Sequence, residues 1–350
     1  IRVTTDLPAE EWRIDCLPVN YAANDYNEPG YVGSEPGIYP DLLEPRPLSP
    51  EIIEKGGVRY EKDTKYLLNA GITPKAILVT LNPDSELLDA GKHTIICELI
   101  PLSGAGGEEV TLDFEIIDAI LPEQTECCTN WFHVDSLCDF YNVEPYSGRF
   151  YELFRSFISN ASKHRMNTLL LPAFTPALDT PIGHARRNVQ LVDIKRTESG
   201  WEFGFDRLSY FMRTASDCGI SCFEHCHLFS QWGAIHAPKV VASVGGETKT
   251  IFGWDTDAAG DEYREFIRAF VKALLCELRR LGVDDKCWFH ISDEPNINQL
   301  ESYTKAKNTV ADLLEGYHIM DALSNYDFYE TGAVETPIPA SNHIEPFLEH

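Results

Sequence analysis

The residues best suited to chemistry lie in one ten-residue stretch, Cys287-Trp288-Phe289-His290-Ile291-Ser292-Asp293-Glu294-Pro295-Asn296. An aromatic and β-branched run stops at two adjacent carboxylates and then a proline. This reads as a buried strand that delivers acids at its carboxyl end before the chain turns into a helix. A purely structural use is open to the same residues. Acids are favoured at a helix amino terminus, Pro295 suits a first helical turn, and Asn296 with Gln299 matches a capping box. The chemical use is glycoside hydrolysis, whose usual equipment is two carboxylates. Neighbours at one strand end approach a substrate from the same side, so they cannot bracket an anomeric carbon. A division of labour fits their adjacency better. Glu294 would be the general acid/base, and Asp293 would hold a 2-acetamido group whose oxygen attacks the anomeric carbon.

Elements that could carry such a pair are readable from about residue 123 onward. Strand candidates cover 130–134, 168–171, 220–225, 287–291 and 318–323, with a weaker one at 333–338. Between them run amphipathic stripes: Phe150, Leu153, Phe154, Phe157 and Ile158; Leu208, Phe211, Met212 and Ala215; and Tyr263, Phe266, Ile267, Phe270, Val271, Leu274, Leu275 and Leu278, stopped by Gly282. Alternating strands and helices imply parallel β-α units, as a barrel or a doubly wound sheet. The barrel is favoured because the loops after the second and third strands are long and rich in polar and aromatic groups, with hairpins expected at 190–194 with 201–205 and around Gly245-Gly246. Barrels keep their active sites in such loops. No Gly-rich phosphate turn follows the first strand, so a dinucleotide fold gains no support. About six strands fall short of the eight of a closed barrel. The expectation is a (β/α)8 TIM-type barrel over 123–350 that lacks its last strands.

Residues 1–122 read as all-β. The run 110–116 alternates strictly, as a half-buried strand does. Further strands are expected at 93–100 and 75–81, with turns at 82–84 and 104–107, which suggests a β-sandwich. The Pro-, Gly- and Tyr-rich stretch 24–50 is expected to wrap over a surface rather than to add a layer.

Other polar residues gather at the same strand ends. His133 and Asp135, two apart, would share a face of the first strand, and His225 and His227 a face of the third. These four could form a metal site, but no third and fourth ligand stand at a recognisable spacing, and polar residues of a sugar site are the simpler account. Trp232 and Trp254 could stack on a pyranose ring or pack within their loops. No metal and no cofactor are expected.

The formal charge of −26 excludes nucleic acid and anionic membranes as natural partners. No apolar run approaches the ~18 residues of a membrane span, and no signal-peptide pattern is visible in the first residues of the sequence, which begins at Ile1 without a Met. The ten cysteines show no metal-ligand or disulfide pattern, which favours a reducing, cytoplasmic setting.

The stretch 288–295 (Trp-Phe-His-Ile-Ser-Asp-Glu-Pro), together with Trp131-Phe132-His133-Val134-Asp135, resembles glycoside hydrolase family 123 and the related domain-of-unknown-function 4091 proteins. Matching segments are Pro172-Ala173-Phe174-Thr175-Pro176, the run from His227 through Trp232 to Gly233, and Phe252-Gly253-Trp254-Asp255, with looser similarity at Gly37-Ile38-Tyr39-Pro40-Asp41. The resemblance implies a β-sandwich followed by a barrel and a β-N-acetylgalactosaminidase acting through the acetamido group of its substrate. It maps the family's Asp-Glu pair onto Asp293 and Glu294. The substrate site is expected to draw on His133, Asp135, Phe174, His225, His227, Trp232, Trp254, Asp255 and His290.

Overall fold

A computed structural model describes residues 2–7, 12–24, 37–43, 63–65, 76–83, 89–101, 103–104, 106–122, 124–178 and 180–348. The chain divides into two compact units, Ile1–Glu123 and Gln124–His350. The first is built from antiparallel strands: β1 (Arg2–Thr5), β2 (Trp12–Asn24), β3 (Gly37–Leu43), β4 (Asp63–Lys65), β5 (Ala76–Pro83), β6 (Gly91–Leu99) and β7 (Glu108–Ile116). They make one sheet of order β4-β1-β6-β7 and another of order β3-β2-β5. Two expectations change here. Part of the 24–50 stretch is β3, paired with β2 from Val19↔Leu43 to Asn24↔Gly37, so it does contribute to a sheet. The turns expected at 82–84 and 104–107 lie partly outside the described residues, as does the remainder of 24–50. The strand read from the alternation of 110–116 exists, but Val110 is 65% and Leu112 60% exposed. As an edge strand, β7 is half-buried only at Phe114 and Ile116.

The second unit contains α1 (Val134–Tyr141), α2 (Gly148–Lys163), β8 (Thr168–Leu171), β9 (Asp193–Thr197), β10 (Gly200–Gly204), α3 (Asp206–Ser216), β11 (Cys222–His225), β12 (Val240–Val244), β13 (Glu247–Phe252), α4 (Asp261–Leu281), β14 (Cys287–Phe289), α5 (Leu300–Val310), β15 (His318–Ala322), α6 (Tyr326–Glu330), β16 (Thr336–Ile338) and α7 (Glu345–Leu348). Five strands form a parallel sheet ordered β16-β15-β14-β11-β8. Each strand therefore lies beside its predecessor among the sheet's strands, with no reversal of order. A doubly wound sheet would need such a reversal.

The expected first strand at 130–134 is the main correction in this unit. Only Thr129 forms a parallel bridge, to Thr168, and α1 begins at Val134. Trp131 and Phe132 are partly buried against the core; their aromatic run marks burial, which a loop satisfies as well as a strand.

Sequence periodicity fixes the longest helix closely. The eight apolar residues of the α4 stripe are all buried. Its end is set by Gly282, at φ 69, whose amide donates to the Arg279 carbonyl while that of Val283 reaches Leu278. That left-handed position strains any residue with a Cβ. Strand β8, Thr-Leu-Leu-Leu, is buried throughout, as expected of a parallel strand covered on both faces.

The two long loops fold together. Strands β9–β10 from the loop after β8 and β12–β13 from the loop after β11 make a four-stranded sheet ordered β10-β9-β12-β13. The first hairpin sits at 193–197 with 200–204 rather than 190–194 with 201–205, because Gln190 is used elsewhere. Its side chain bonds the Val192 and Val241 carbonyls and accepts from the Val241 amide. Phe270 of α4 ties this sheet to the core, with ring centroids 4.5 Å from Phe174, 5.6 Å from Phe203 and 5.9 Å from His225. Phe270→Ala should destabilise the second unit by ~3–5 kcal/mol, the usual cost of emptying a buried phenylalanine site. Chemical denaturation read by tryptophan fluorescence checks this.

Candidate active site

Strand β14 ends at Phe289, and the chain continues through His290, Ile291 and Ser292 to the acidic pair. These residues have left the β-ladder, so their backbone groups need other partners. Asp321, at the end of β15, supplies them: its Oδ1 accepts from the Ile291 amide at 3.0 Å and the Ser292 amide at 3.3 Å. Further on, the Glu294 amide donates to the Ala322 carbonyl at 3.1 Å, and the Asp293 carbonyl accepts from the Trp232 amide at 2.8 Å. Neighbouring strand ends therefore hold the pair from both sides. Asp293 is half-buried and Glu294 exposed. Glu294 has φ 45, a left-handed conformation costly for a residue with a side chain.

The expected capping box is present. The Asn296 side chain accepts from the Asn298 amide, and Gln299 bonds back to the Asn296 amide. Pro295 lies before the cap rather than in the first turn. Capping is thus done by Asn296 and Gln299, which leaves the carboxylates of Asp293 and Glu294 outside the cap.

Beneath the pair lies a buried charge network. His290 Nε2 is 3.1 Å from Glu224 Oε2, and its Nδ1 is 3.4 Å from Asp321 Oδ1. The Tyr303 hydroxyl donates to Asp321 Oδ2 at 2.5 Å, and the Trp131 indole N–H donates to Glu224 Oε2 at 2.9 Å. Both oxygens of Asp321 only accept, the pattern of an ionised carboxylate. Burial opposes charge on His290, but the hydrogen bonds and charges of Asp321 and Glu224 outweigh it and raise its pKa to about 9. Burial likewise works against an ionised Glu224, yet its bonds and attraction to His290, with Thr129 and Trp131, hold the carboxyl below its ordinary value. For Asp321 burial prevails over His290, Tyr303 and the Ile291 amide, and its pKa is raised.

The remaining expected site residues separate into groups. His227 joins the network, stacked 4.6 Å from His290 and edge-on to Trp131 at 5.5 Å. His225 does not: β11 ends there, the period of two stops, and its ring stacks on Phe289 at 5.6 Å and meets Phe270 of α4. The two histidines therefore do not share a face. Nor do His133 and Asp135, because neither is in a strand. His133 is the residue preceding α1, and Asp135 lies in its first turn, buried and bound to Arg186 Nε at 2.6 Å and Nη2 at 3.1 Å. Phe174 is fully buried against Phe266 and Phe270 and cannot touch a substrate. The four-residue metal set is thus dispersed. Among the described residues, His227, His290 and Asp321 have donor atoms within 4.8 Å of one another. His290 there already bridges two carboxylates, and both Asp321 oxygens are occupied.

Trp232 is 44% exposed beside the pair. It opens a run of three left-handed residues, Trp232 (φ 59), Gly233 (φ 94) and Ala234 (φ 58). A Cβ on Gly233 would meet the Gln299 Cβ at 2.6 Å, and the Gly233 amide donates to Ser292 Oγ at 3.2 Å. Trp254 and Asp255 lie apart from this group, lining a cavity of about 370 Å³ with Thr175, Thr180, Arg186 and Lys239.

Glu224, Asp321 and Tyr303 did not stand out in the sequence reading. The signal for the first two was an acid inside an otherwise apolar buried strand, Cys-Phe-Glu-His and His-Ile-Met-Asp-Ala; charged residues in that setting are rarely unpaired.

Five parallel strands in sequential order, joined by helices and with acids at their carboxyl ends, make a mixed α/β scaffold. Residues 131–350 match the model of the family described as glycoside hydrolase 123, catalytic domain, and the chain belongs to that family. A solved structure with the same fold is a family 123 glycoside hydrolase from Clostridium perfringens, analysed for the details of glycolipid glycan hydrolysis. Its TM-score is 0.65 at 11% identity, with 98% of this chain and 58% of that chain covered. This chain thus spans little more than half of that protein's length. No curated protein matches.

The network sets a pH dependence of stability. Folded His290 keeps its proton up to about pH 9 against 6.5 for the free group, so its contribution is complete below pH 6.5 and lost as pH rises to about 9. Burial lowers His225 to about 4 and holds His227 well below its ordinary value, so their contributions are present above pH 6.5 and lost on acidification. The melting temperature should therefore peak near pH 6.5, and His290→Gln should remove the alkaline decline. A wild-type profile flat between pH 6.5 and 9 would contradict this assignment.

Proposed function

We propose that this family 123 glycoside hydrolase removes β-linked N-acetylhexosamine, N-acetylgalactosamine in the first instance, by substrate-assisted retaining catalysis. The observation that carries the reading is the adjacency of Asp293 and Glu294 on a strand end held from both sides. Two carboxylates fixed this way suit different jobs on one face of a sugar better than opposed attack on one carbon. Asp293 accepts a hydrogen bond from the acetamido N–H and turns its carbonyl oxygen toward the anomeric carbon. That oxygen attacks as Glu294 protonates the departing glycosidic oxygen, so the C–O bond breaks and a bicyclic oxazolinium forms. Glu294, now a carboxylate, takes a proton from the water that opens it, which restores the acetamido group with retained configuration. Exposed Trp232, tied to Asp293 through the backbone, offers a ring face for the sugar.

The same reading takes the sequential parallel strands as part of an eight-stranded barrel following an N-terminal β-sandwich. A glycolipid glycan, the substrate class of the Clostridium perfringens neighbour, is a reasonable natural target.

Glu294→Gln and Asp293→Asn should each lower kcat on an aryl β-N-acetylgalactosaminide by ~10²–10⁴, the usual worth of a positioned acid or base. A thiazoline mimic of the bicyclic intermediate should inhibit the wild type. Undiminished turnover of a substrate lacking the acetamido group would sink the mechanism.

A further inference from the structure

The cavity beside Trp254 contains a cation that forms no ion pair with an acid among the described residues. Lys239 is half-buried in its wall. Its ammonium donates to the Arg186 carbonyl at 3.3 Å and has no carboxylate partner among the described residues. An ammonium has three donors, so most of its hydrogen-bonding capacity and its whole charge remain available to the cavity. In a chain with 55 acids and 29 lysines and arginines, a half-buried lysine that forms no ion pair among the described residues, with Asp255 in the same lining, is unusual. The neighbouring guanidinium is a contrast, since Asp135 neutralises Arg186 through two bonds.

The rest of the lining suits a sugar. The Trp254 indole N–H is spent on the His184 carbonyl at 2.8 Å and its ring meets His236 edge-on at 5.8 Å, which together fix the half-buried ring in the cavity wall. Asp255 is exposed and able to accept from hydroxyl groups. Two consecutive residues link the cavity wall to the backbone of the acidic pair. Gln231 donates to the carbonyl of Thr180, a lining residue, at 2.9 Å, and the next residue, Trp232, donates its amide to Asp293.

We propose that this cavity is a secondary subsite for an acidic sugar residue of the glycan, with Lys239 pairing its carboxylate or sulfate and Trp254 lying against its ring. The proposal rests on the glycosidase reading of Asp293 and Glu294. Calorimetric titration with lactose, 3′-sialyllactose and 6′-sulfolactose tests it and separates carboxylate from sulfate. At least one acidic sugar should bind about tenfold or more tightly than lactose, the scale of one charge-assisted contact. Lys239→Met should abolish that difference, Lys239→Arg should retain it, and Trp254→Leu should weaken binding of the acidic sugar. Equal affinities, no binding of any of the three, or a preference that survives Lys239→Met would overturn the proposal. Turnover of the aryl glycoside, measured on the same protein, reports separately on the acidic pair. A protein that turns it over without an acid preference loses only the subsite, and one without turnover loses the assignment of the pair.

Discussion

The site depends on one carboxylate, Asp321, placed where the backbone of β14 runs out of partners. Two amides past the last residue of that strand would otherwise be buried without acceptors, at a cost of ~1–3 kcal/mol each. Asp321 takes both. A side chain thus replaces the β-ladder, and the chain is released from strand geometry while still fixed in space. That release allows the following residues to turn and present Asp293 and Glu294 at the surface.

A buried anion used in this way needs its own compensation. Desolvating a carboxylate costs several kcal/mol, and removal of a partner leaves the full penalty behind. Here the compensation is His290, held protonated between Asp321 and Glu224, with Tyr303 donating to the outer oxygen of Asp321 and Trp131 donating to the Glu224 oxygen that also faces His290. An apolar replacement of the whole network could be neutral for stability, as is common for buried ion pairs. It could not satisfy the Ile291 and Ser292 amides. The network is explained by the backbone it holds rather than by net stabilisation.

The parallel strands and the long helix were legible because burial on both faces, or on one stripe, imposes a composition and a period. The eight-residue stripe of α4 and the unbroken apolar run of β8 are examples. What misled was the use of aromatic content as evidence of a strand. Trp131 and Phe132 are drawn to the core without β-pairing, so the strand expected at 130–134 reduces to a bridge at Thr129. The inferred common faces of His133 with Asp135 and of His225 with His227 failed for the same reason, since a period of two has meaning only inside a strand. The acidic pair was legible because its residues are consecutive. Glu224, Asp321 and Lys239 were not, because their significance is a meeting of segments 30 to 93 residues apart or a missing partner, and neither has a local pattern.

The backbone at the site is strained in two facing segments. Trp232, Ala234 and Glu294 are left-handed without being glycine, and at ~1–2 kcal/mol each their combined cost is a sizeable share of the ~5–15 kcal/mol that stabilises a typical protein. Glycine would relieve that strain, so the side chains present must be kept for another purpose or held by their surroundings. The surroundings do hold them: Ser292 Oγ donates to the Ser230 carbonyl and accepts from the Gly233 amide, and the Gly233 carbonyl accepts from Ser302. Ala234 is buried in this frame and has only a methyl group to offer, so its conformation follows from its neighbours. Trp232 and Glu294 project outward, one an exposed ring and the other an exposed carboxyl. Both are held by backbone bonds, the Trp232 amide to the Asp293 carbonyl and the Glu294 amide to the Ala322 carbonyl. Under the proposed roles of Glu294 and Trp232, this is how strain keeps an acid and a ring in place before a sugar arrives.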